Sequence, residues 1–218
     1  MRATTNVLFS IQVANESHLP FAETISDMLV ESARVRKTGI ARRPPEYIAK
    51  KMLEGKAVIA LSPSGDLAGF CYIETWTHGR YVANSGLIVA PEFRGLNIGK
   101  RIKLAAFKLS RTKYPMAKIF SITTSPAVMS MNSDLGYRPV PFSELTTDQE
   151  FWNGCQSCVN YDILTRNGRQ NCLCTGLLFD PLRKPRVLTD EEKDLLGEDF
   201  LSSLPAPEAL PVVQEEGT

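Results

Sequence analysis

The sequence predicts an α/β fold: a mixed sheet with helices on both faces. Three observations carry this expectation. Short β-rich apolar runs alternate with stripes of helical period over residues 9–140. The turn Pro63-Ser64-Gly65-Asp66 joins two of these runs as a hairpin, so the sheet is not fully parallel. The chain has 218 residues, 43% hydrophobic and 22% charged, which is enough to bury a core without staples.

Each element has its own signal. Residues 9–13 read as a first strand. Ser17 can cap a helix with Pro20 in its first turn, and Leu19, Ala22, Ile25, Met28 and Leu29 form its apolar stripe. Residues 34–43 read as a basic loop around Gly39. Pro44-Pro45 opens a second short helix with Tyr47, Ile48 and Leu53 on its buried side. Strands are expected over 57–61, 68–76 and 81–89. Ile98, Ile102, Ala105, Ala106 and Leu109 share one face of a third helix. A strand over 117–123 follows, then a helix opened by Ser125-Pro126 and ended at Gly136, then a strand over 137–140. Residues 161–164 and 172–178 read as a hairpin around Asn167-Gly168. The expected organisation is a domain over 1–188, with a Cys-rich hairpin at about 151–180, and an acidic tail over 189–218. Thr189 and Glu192 form a capping box at the start of that tail, and Pro205, Pro207 and Pro211 favour an extended end.

Charge and hydropathy exclude several function classes. The formal net charge is +1, without the basic excess a dedicated nucleic-acid binder needs. No apolar run approaches the roughly 18–20 residues that span a bilayer. The first residues, Met1-Arg2-Ala3-Thr4-Thr5-Asn6, carry no signal-peptide pattern, so the cytoplasm is the expected compartment. The tail from Thr189 sets Asp190, Glu191, Glu192, Asp194, Glu198, Asp199, Glu208, Glu215 and Glu216 against Lys193. The body before it is therefore moderately basic and suits an anionic ligand.

The most informative stretch is the turn before the third helix. A β-rich run ends at Pro91, and Gly95, Asn97 and Gly99 lead straight into helix. Gly and Asn tolerate positive φ, so such a turn aims successive backbone N–H groups into one concavity at a helix N-terminus. Arg94, Lys100 and Arg101 add cationic side chains, and the whole suits a pyrophosphate. It is not a Walker loop, because Gly99-Lys100-Arg101 lacks the hydroxyl residue after lysine.

Here the sequence resembles the GCN5-related N-acetyltransferase (GNAT) superfamily. The signature Arg/Gln-x-x-Gly-x-Gly/Ala after a strand ending near Val-x-Pro matches Val89-Ala90-Pro91 and Arg94-Gly95-Leu96-Asn97-Ile98-Gly99, with Asn97 in place of the usual middle glycine. Leu135-Gly136-Tyr137 matches the family's Leu-Gly-Phe/Tyr. The resemblance implies a GNAT-like mixed, mostly antiparallel central sheet with helices on both faces, extended here by the C-terminal hairpin. It implies that Leu87, Ile88 and Val89 line the pantetheine arm of acetyl-CoA or another acyl-CoA. Arg94, Gly95, Leu96, Asn97, Ile98, Gly99 and Lys100 would hold the pyrophosphate, and Ser125 and Asn132 would complete the cofactor site. It also implies that the strand pair around Leu87–Val89 and Ile119–Thr123 splays to admit the arm, and Gly86 suits a bulge or a close backbone approach there.

Amine acylation needs a base for the amine, a donor for the oxyanion and a proton for the thiolate. The resemblance assigns the oxyanion donor to the Val89 N–H. Many family members carry a tyrosine acid where this chain has Asn132, whose amide can only hydrogen-bond. For the base, Glu74 comes first, because it alternates with Phe70, Tyr72 and Trp76 on one strand face. His78 comes second, as the residue type that titrates near neutrality. The family plan puts the acceptor under the basic loop, where Arg36, Arg42 and Arg43 suit a carboxylate-bearing amine such as glutamate or another amino acid. The segment Phe151-Trp152-x-Gly154-Cys155-x-x-Cys158-x-Asn160-Tyr161 is similar to the N-acetylglutamate synthases of arginine biosynthesis. Two alternatives stand beside a small-molecule acceptor: an acetyltransferase acting on a protein lysine or other amine, and a non-catalytic acyl-CoA-binding module. A homodimer is carried as the possible assembly.

Cys155-x-x-Cys158 and Cys172-x-Cys174 lie thirteen residues apart. In the hairpin register expected above, Cys158 sits too far from its partners for one metal. The thiols are therefore read as free and buried ahead of structural zinc. Cys71 reads as a small core residue.

Overall fold

The alternation of period-2 and period-3.6 segments resolves into a seven-stranded sheet in the order β1-β2-β3-β4-β5-β7-β6. The structure is a computed structural model and describes residues 9–36 and 43–183. The strands are β1 (Ser10–Val13), β2 (Ala57–Leu61), β3 (Leu67–Trp76), β4 (Tyr81–Val89), β5 (Lys118–Thr123), β6 (Arg138–Val140) and β7 (Thr175–Phe179). The helices are α1 (Ala22–Arg36), α2 (Pro45–Leu53), α3 (Ile98–Lys113), α4 (Pro126–Asp134), α5 (Gln149–Asn153) and α6 (Tyr161–Arg166). Among the described strands only β4 and β5 pair in parallel; every other neighbour is antiparallel. One contact unit ends at Pro181 and a second begins at Leu182. The acidic tail and its Thr189–Glu192 capping box lie outside the described residues.

Alternating strand residues feed two cores. On one face Ile98, Ile102 and Ala106 of α3 pack on Val58, Cys71, Ile73, Val82 and Ile119. On the other, Ile25 and Leu29 of α1 and Ile48 and Met52 of α2 cover Ile59, Phe70, Tyr72 and Ile88. A third cluster sets Phe142, Leu145, Trp152 and Leu164 against Ala83, Phe120 and Leu178. Fully burying side chains of this size contributes about 1.5–3 kcal/mol each, which is what holds helices on both faces.

Three expectations are corrected. The first helical segment begins with a 3-10 turn, Glu16–Phe21, capped by Asn15 rather than Ser17. Asn15 Oδ1 accepts the Ser17 N–H at 3.0 Å, while His18 Nδ1 accepts the Asn15 N–H at 3.1 Å, a reciprocal box that outcompetes the serine. The basic stretch is helical as far as Arg36, because α1 outlasts its apolar stripe. The expected C-terminal hairpin does not form: 161–166 is α6, and only Thr175–Phe179 is strand. Gly168 has φ +58°, which suits a hairpin turn and a helix C-cap equally. The bonds Arg169 N–H to Leu164 O (2.8 Å) and Gly168 N–H to Thr165 O (3.0 Å) are a Schellman cap, so Asn167-Gly168 stops a helix. The freed strand β7 enters between β5 and β6.

Candidate active site

The site begins where two strands part. β4 and β5 pair only at Tyr81, Val82 and Ala83. Beyond that, β4 still pairs with β3 as far as Val89, and β5 with β7 as far as Thr123. The facing edges therefore separate while each strand stays anchored on its outer side. A register shift sets Gly86 and Leu87 opposite Cys71 alone, which is a β-bulge and bends β4. Gly86 has φ +66°, and a Cβ there would come within 2.7 Å of the Tyr72 ring, so only glycine fits. The gap opens into a cavity of about 200 Å³ lined by Ser85, Gly86 and Leu87 on one side and Ser121, Ile122 and Thr123 on the other.

The phosphate turn follows β4. Gly95 has φ +79° and Asn97 φ +61°; Asn97 is the N-cap of α3 and makes no side-chain cap bond. The first amides of α3 are thus left without a side-chain partner at the positive end of the helix dipole. They face a depression lined by Val89, Arg94, Gly95, Asn97, Gly99, Lys100, Ser130 and Met131. A Cβ on Gly99 would meet Val89 Cγ2 at 3.5 Å and Met131 Sδ at 4.0 Å, so the glycine keeps this floor low. Arg94 Nε donates to Val89 O at 3.2 Å, and Lys100 pairs with Asp134 at 2.8 Å. The Ile98 and Ile88 side chains are buried in the two opposite cores and Leu96 is exposed; of the three only Ile98 borders the depression. Ser125 caps α4 through the Val128 N–H (3.4 Å), and both residues line the cavity.

The other end of the cavity is built from side chains. Ser26 Oγ donates to Arg43 O at 2.8 Å and fixes its backbone. Arg43 Nε donates to the Tyr72 hydroxyl at 2.6 Å, and its guanidinium lies 5.0 Å from the centre of the Tyr47 ring. Both Arg43 and Tyr72 line the cavity. The Tyr47 and Tyr72 rings pack edge to face with their centroids 5.6 Å apart. Tyr47 also donates to Glu74 Oε1, which Lys51 Nζ meets at 2.8 Å. The Lys51 and Glu74 side chains are 9% and 14% exposed, so the pair is shielded from water. Burial, with Tyr72 and Glu74 alongside, pushes the Tyr47 phenol well above its ordinary range; burial also raises Tyr72. Both phenols are neutral at physiological pH. The Tyr47 proton goes to Glu74, so Tyr47 and Lys51 hold the carboxylate behind the Arg43–Tyr72 pair that lines the cavity.

The expected residues divide accordingly. Arg43 is at the cavity. Glu74 lies behind it, bonded to Tyr47 and paired with Lys51, two residues of α2 that the helix stripe places in the core. Asn132 is fully buried: its Nδ2 donates to Ser121 Oγ at 2.8 Å, and it braces the strand that lines the cavity from behind. His78 sits in the β3–β4 turn with φ +55° and lines a different depression with Lys113 and Tyr114. Strand rise puts it roughly 15–20 Å from Gly86, so it is not brought to the site. Arg36 is the last residue of α1, and Arg42 lies outside the described residues. The four cysteines Cys155, Cys158, Cys172 and Cys174 are free and all line the cavity. Among the described residues, no group of three or more His, Cys, Asp or Glu is arranged to hold a metal ion. No described helix is long and apolar enough to cross a membrane.

Beneath β4 lies a second buried network. Lys103 of α3 donates to Asn84 Oδ1 at 3.1 Å, as does the Tyr137 hydroxyl at 3.0 Å, and Asn84 Nδ2 donates to Ser110 Oγ at 2.8 Å. Burial pushes the Lys103 ammonium down to about 8.

No protein-family profile and no curated protein matches the sequence. Solved structures do match in fold. N-acetylglutamate synthase from Neisseria gonorrhoeae, complexed with coenzyme A and N-acetyl-glutamate, is 16% identical with a TM-score of 0.58 over 81% of this chain. This chain spans only 36% of that protein. A Mycobacterium tuberculosis protein in complex with CoA is 14% identical with a TM-score of 0.55, covering 78% of this chain and 98% of that one. An acetyltransferase of the GNAT family from Staphylococcus aureus is 15% identical with a TM-score of 0.52, covering 65% and 91%. The chain has the GNAT fold, and the expectation of a mixed, mostly antiparallel sheet holds.

Proposed function

We propose that the protein is an acyl-CoA-dependent N-acyltransferase that moves an acetyl or other short acyl group to the amine of a small carboxylate-bearing acceptor, glutamate or another amino acid. The observation that carries this is the parting of β4 from β5 beside the uncapped start of α3. A slot edged by unpaired backbone and leading to a ring of free amides fits an extended thiol arm that ends in a diphosphate. Likeness in fold to proteins crystallised with coenzyme A supports the same reading.

The thioester, when bound, supplies an activated acyl carbonyl. The chain's own groups do the rest. Amides from Gly95 to Lys100 hold the diphosphate, with Arg94 at hand, and the β4 edge at Leu87 and Val89 orients the arm. Arg43 pairs with the acceptor carboxylate at the cavity wall. The ammonium must lose a proton before it can attack, and Glu74, the carboxylate held by Tyr47 and Lys51 behind the cavity wall, is the base that takes it up. Ser121, steadied by Asn132, donates at the cavity wall to the departing sulfur. The proposed compartment is the cytoplasm.

The test is thiol release from acetyl-CoA with a panel of amino acids, their carboxamides and a lysine peptide. Release is expected with free α-carboxylates and not with the carboxamides. Binding of coenzyme A without release on any amine would contradict the enzyme and favour a non-catalytic acyl-CoA-binding module.

A further inference from the structure

We propose that Cys155 and Cys158 are a reversible thiol–disulfide pair that alters the acceptor end of the cavity when it closes. Free structural thiols usually disappear into packed cores. Here four of them, from two segments thirteen residues apart, are half-buried on the wall of one cavity. Cys155 and Cys158 belong to one turn: the Cys158 N–H donates to Cys155 O at 2.9 Å. A turn closed in this way brings the two Cα atoms within about 7 Å. A disulfide spans about 4.4–6.8 Å, so the backbone already has the reach.

The two sulfurs differ in their surroundings. The Asn160 N–H donates to Cys158 Sγ at 3.4 Å. Burial, helped by Cys158 and Cys172, pushes the Cys155 thiol up to about 11. The Cys155 sulfur, held as the thiol by its burial, takes the resolving role, and attack on the oxidant falls to Cys158. With a hydroperoxide as oxidant, the Cys158 thiolate attacks one peroxide oxygen. The O–O bond breaks, the other oxygen leaves and takes up a proton, and a sulfenic acid remains. The Cys155 sulfur then attacks the Cys158 sulfur. The S–S bond forms, the S–O bond breaks, and the hydroxyl departs as water with the Cys155 proton. Two thiols lose two electrons and the peroxide gains them.

The consequence lies at Arg43, whose charge is close enough to act on Cys155. Drawing the Cys155 sulfur to Cys158 changes the wall beside the arginine given to the acceptor carboxylate. That consequence rests on the acyl-transfer reading; the disulfide does not.

The experiment treats the reduced full chain with one equivalent of hydrogen peroxide, blocks free thiols with N-ethylmaleimide and maps peptides by mass without reductant. The Cys155–Cys158 disulfide should appear, two of the five thiols should be lost, and dithiothreitol should restore them. In Cys155→Ser, Cys158 should instead proceed to higher oxides. Pairing with Cys172 or Cys174, survival of all the thiols, or zinc bound in stoichiometric amount with four thiols protected until a chelator is added would overturn the proposal. Oxidised wild type should show an acceptor KM at least five-fold higher with an unchanged coenzyme A Kd, and Cys158→Ala should be insensitive to peroxide. A disulfide with no change in KM would sink the link to the acceptor. Absence of transfer by the reduced protein would count against the acyl-transfer reading alone, because the mass result does not depend on it.

Discussion

The turn after β4 and the cluster around Arg43 flank the same strand but are made of different material. The turn is contiguous in sequence, and its useful groups are main-chain amides placed by two left-handed residues, Gly95 and Asn97. The cluster draws Arg43, Tyr47, Lys51, Tyr72 and Glu74 from the lead into α2, from α2 itself and from β3, and its useful groups are side chains that partner one another. A site of the first kind tolerates changes in side-chain identity and fails when backbone access is lost. A site of the second kind fails one residue at a time, and each failure changes a different kinetic constant.

The largest expected effect breaks the backbone half. Gly99→Glu puts a carboxylate over the free amides and should weaken coenzyme A binding by about 100-fold or more, close to 3 kcal/mol. The melting temperature should stay within a few degrees, because a Cβ at this position makes only ordinary contacts. Calorimetric titration reads the first and a thermal melt the second; unchanged affinity would remove the turn from the site. Arg43→Met tests the side-chain half, with acceptor KM expected to rise roughly 10–100-fold and coenzyme A affinity unchanged. An equal loss in both substrates would merge the two halves. Tyr47→Phe removes the hydroxyl that donates to Glu74 and should lower kcat about ten-fold with both KM values held, and should move the pH–rate profile; an unmoved profile would make Tyr47 structural only.

The smallest effect concerns Lys103, behind both halves. Burial holds its folded pKa near 8, below the ordinary 10.5. Between those two values the unfolded chain binds the extra proton, so stability gained from this group is full above about 10.5 and is lost as pH falls through about 8. Denaturant unfolding at pH 8 and pH 10 should show wild type gaining on the order of 1–3 kcal/mol relative to Lys103→Met. Parallel pH curves for the two proteins would contradict the buried charge.

What could be read in advance follows the same division. The β2 and β4 boundaries, the left-handed Asn97 and the bulge at Gly86 were legible because local backbone chemistry determines them. The Arg43–Tyr72 and Tyr47–Glu74 bonds were not, since alternation put Glu74 and Tyr72 on one face of β3 but gave no sign that Tyr47 would meet them there. Asn167-Gly168 misled for a physical reason: positive φ serves a hairpin and a Schellman cap alike, and only the partners of the Gly168 and Arg169 amides decide. His78 had suitable chemistry in the wrong place, at the far end of the β3–β4 hairpin.

Hydrogen exchange with and without acetyl-CoA tests the central assignment most directly. Ligand should slow exchange of the amides at Leu87, Val89 and residues 95–100, while β1 and β2 stay unchanged. Protection gathered instead around His78 and Lys113, or binding that leaves residues 95–100 unaltered, would contradict it.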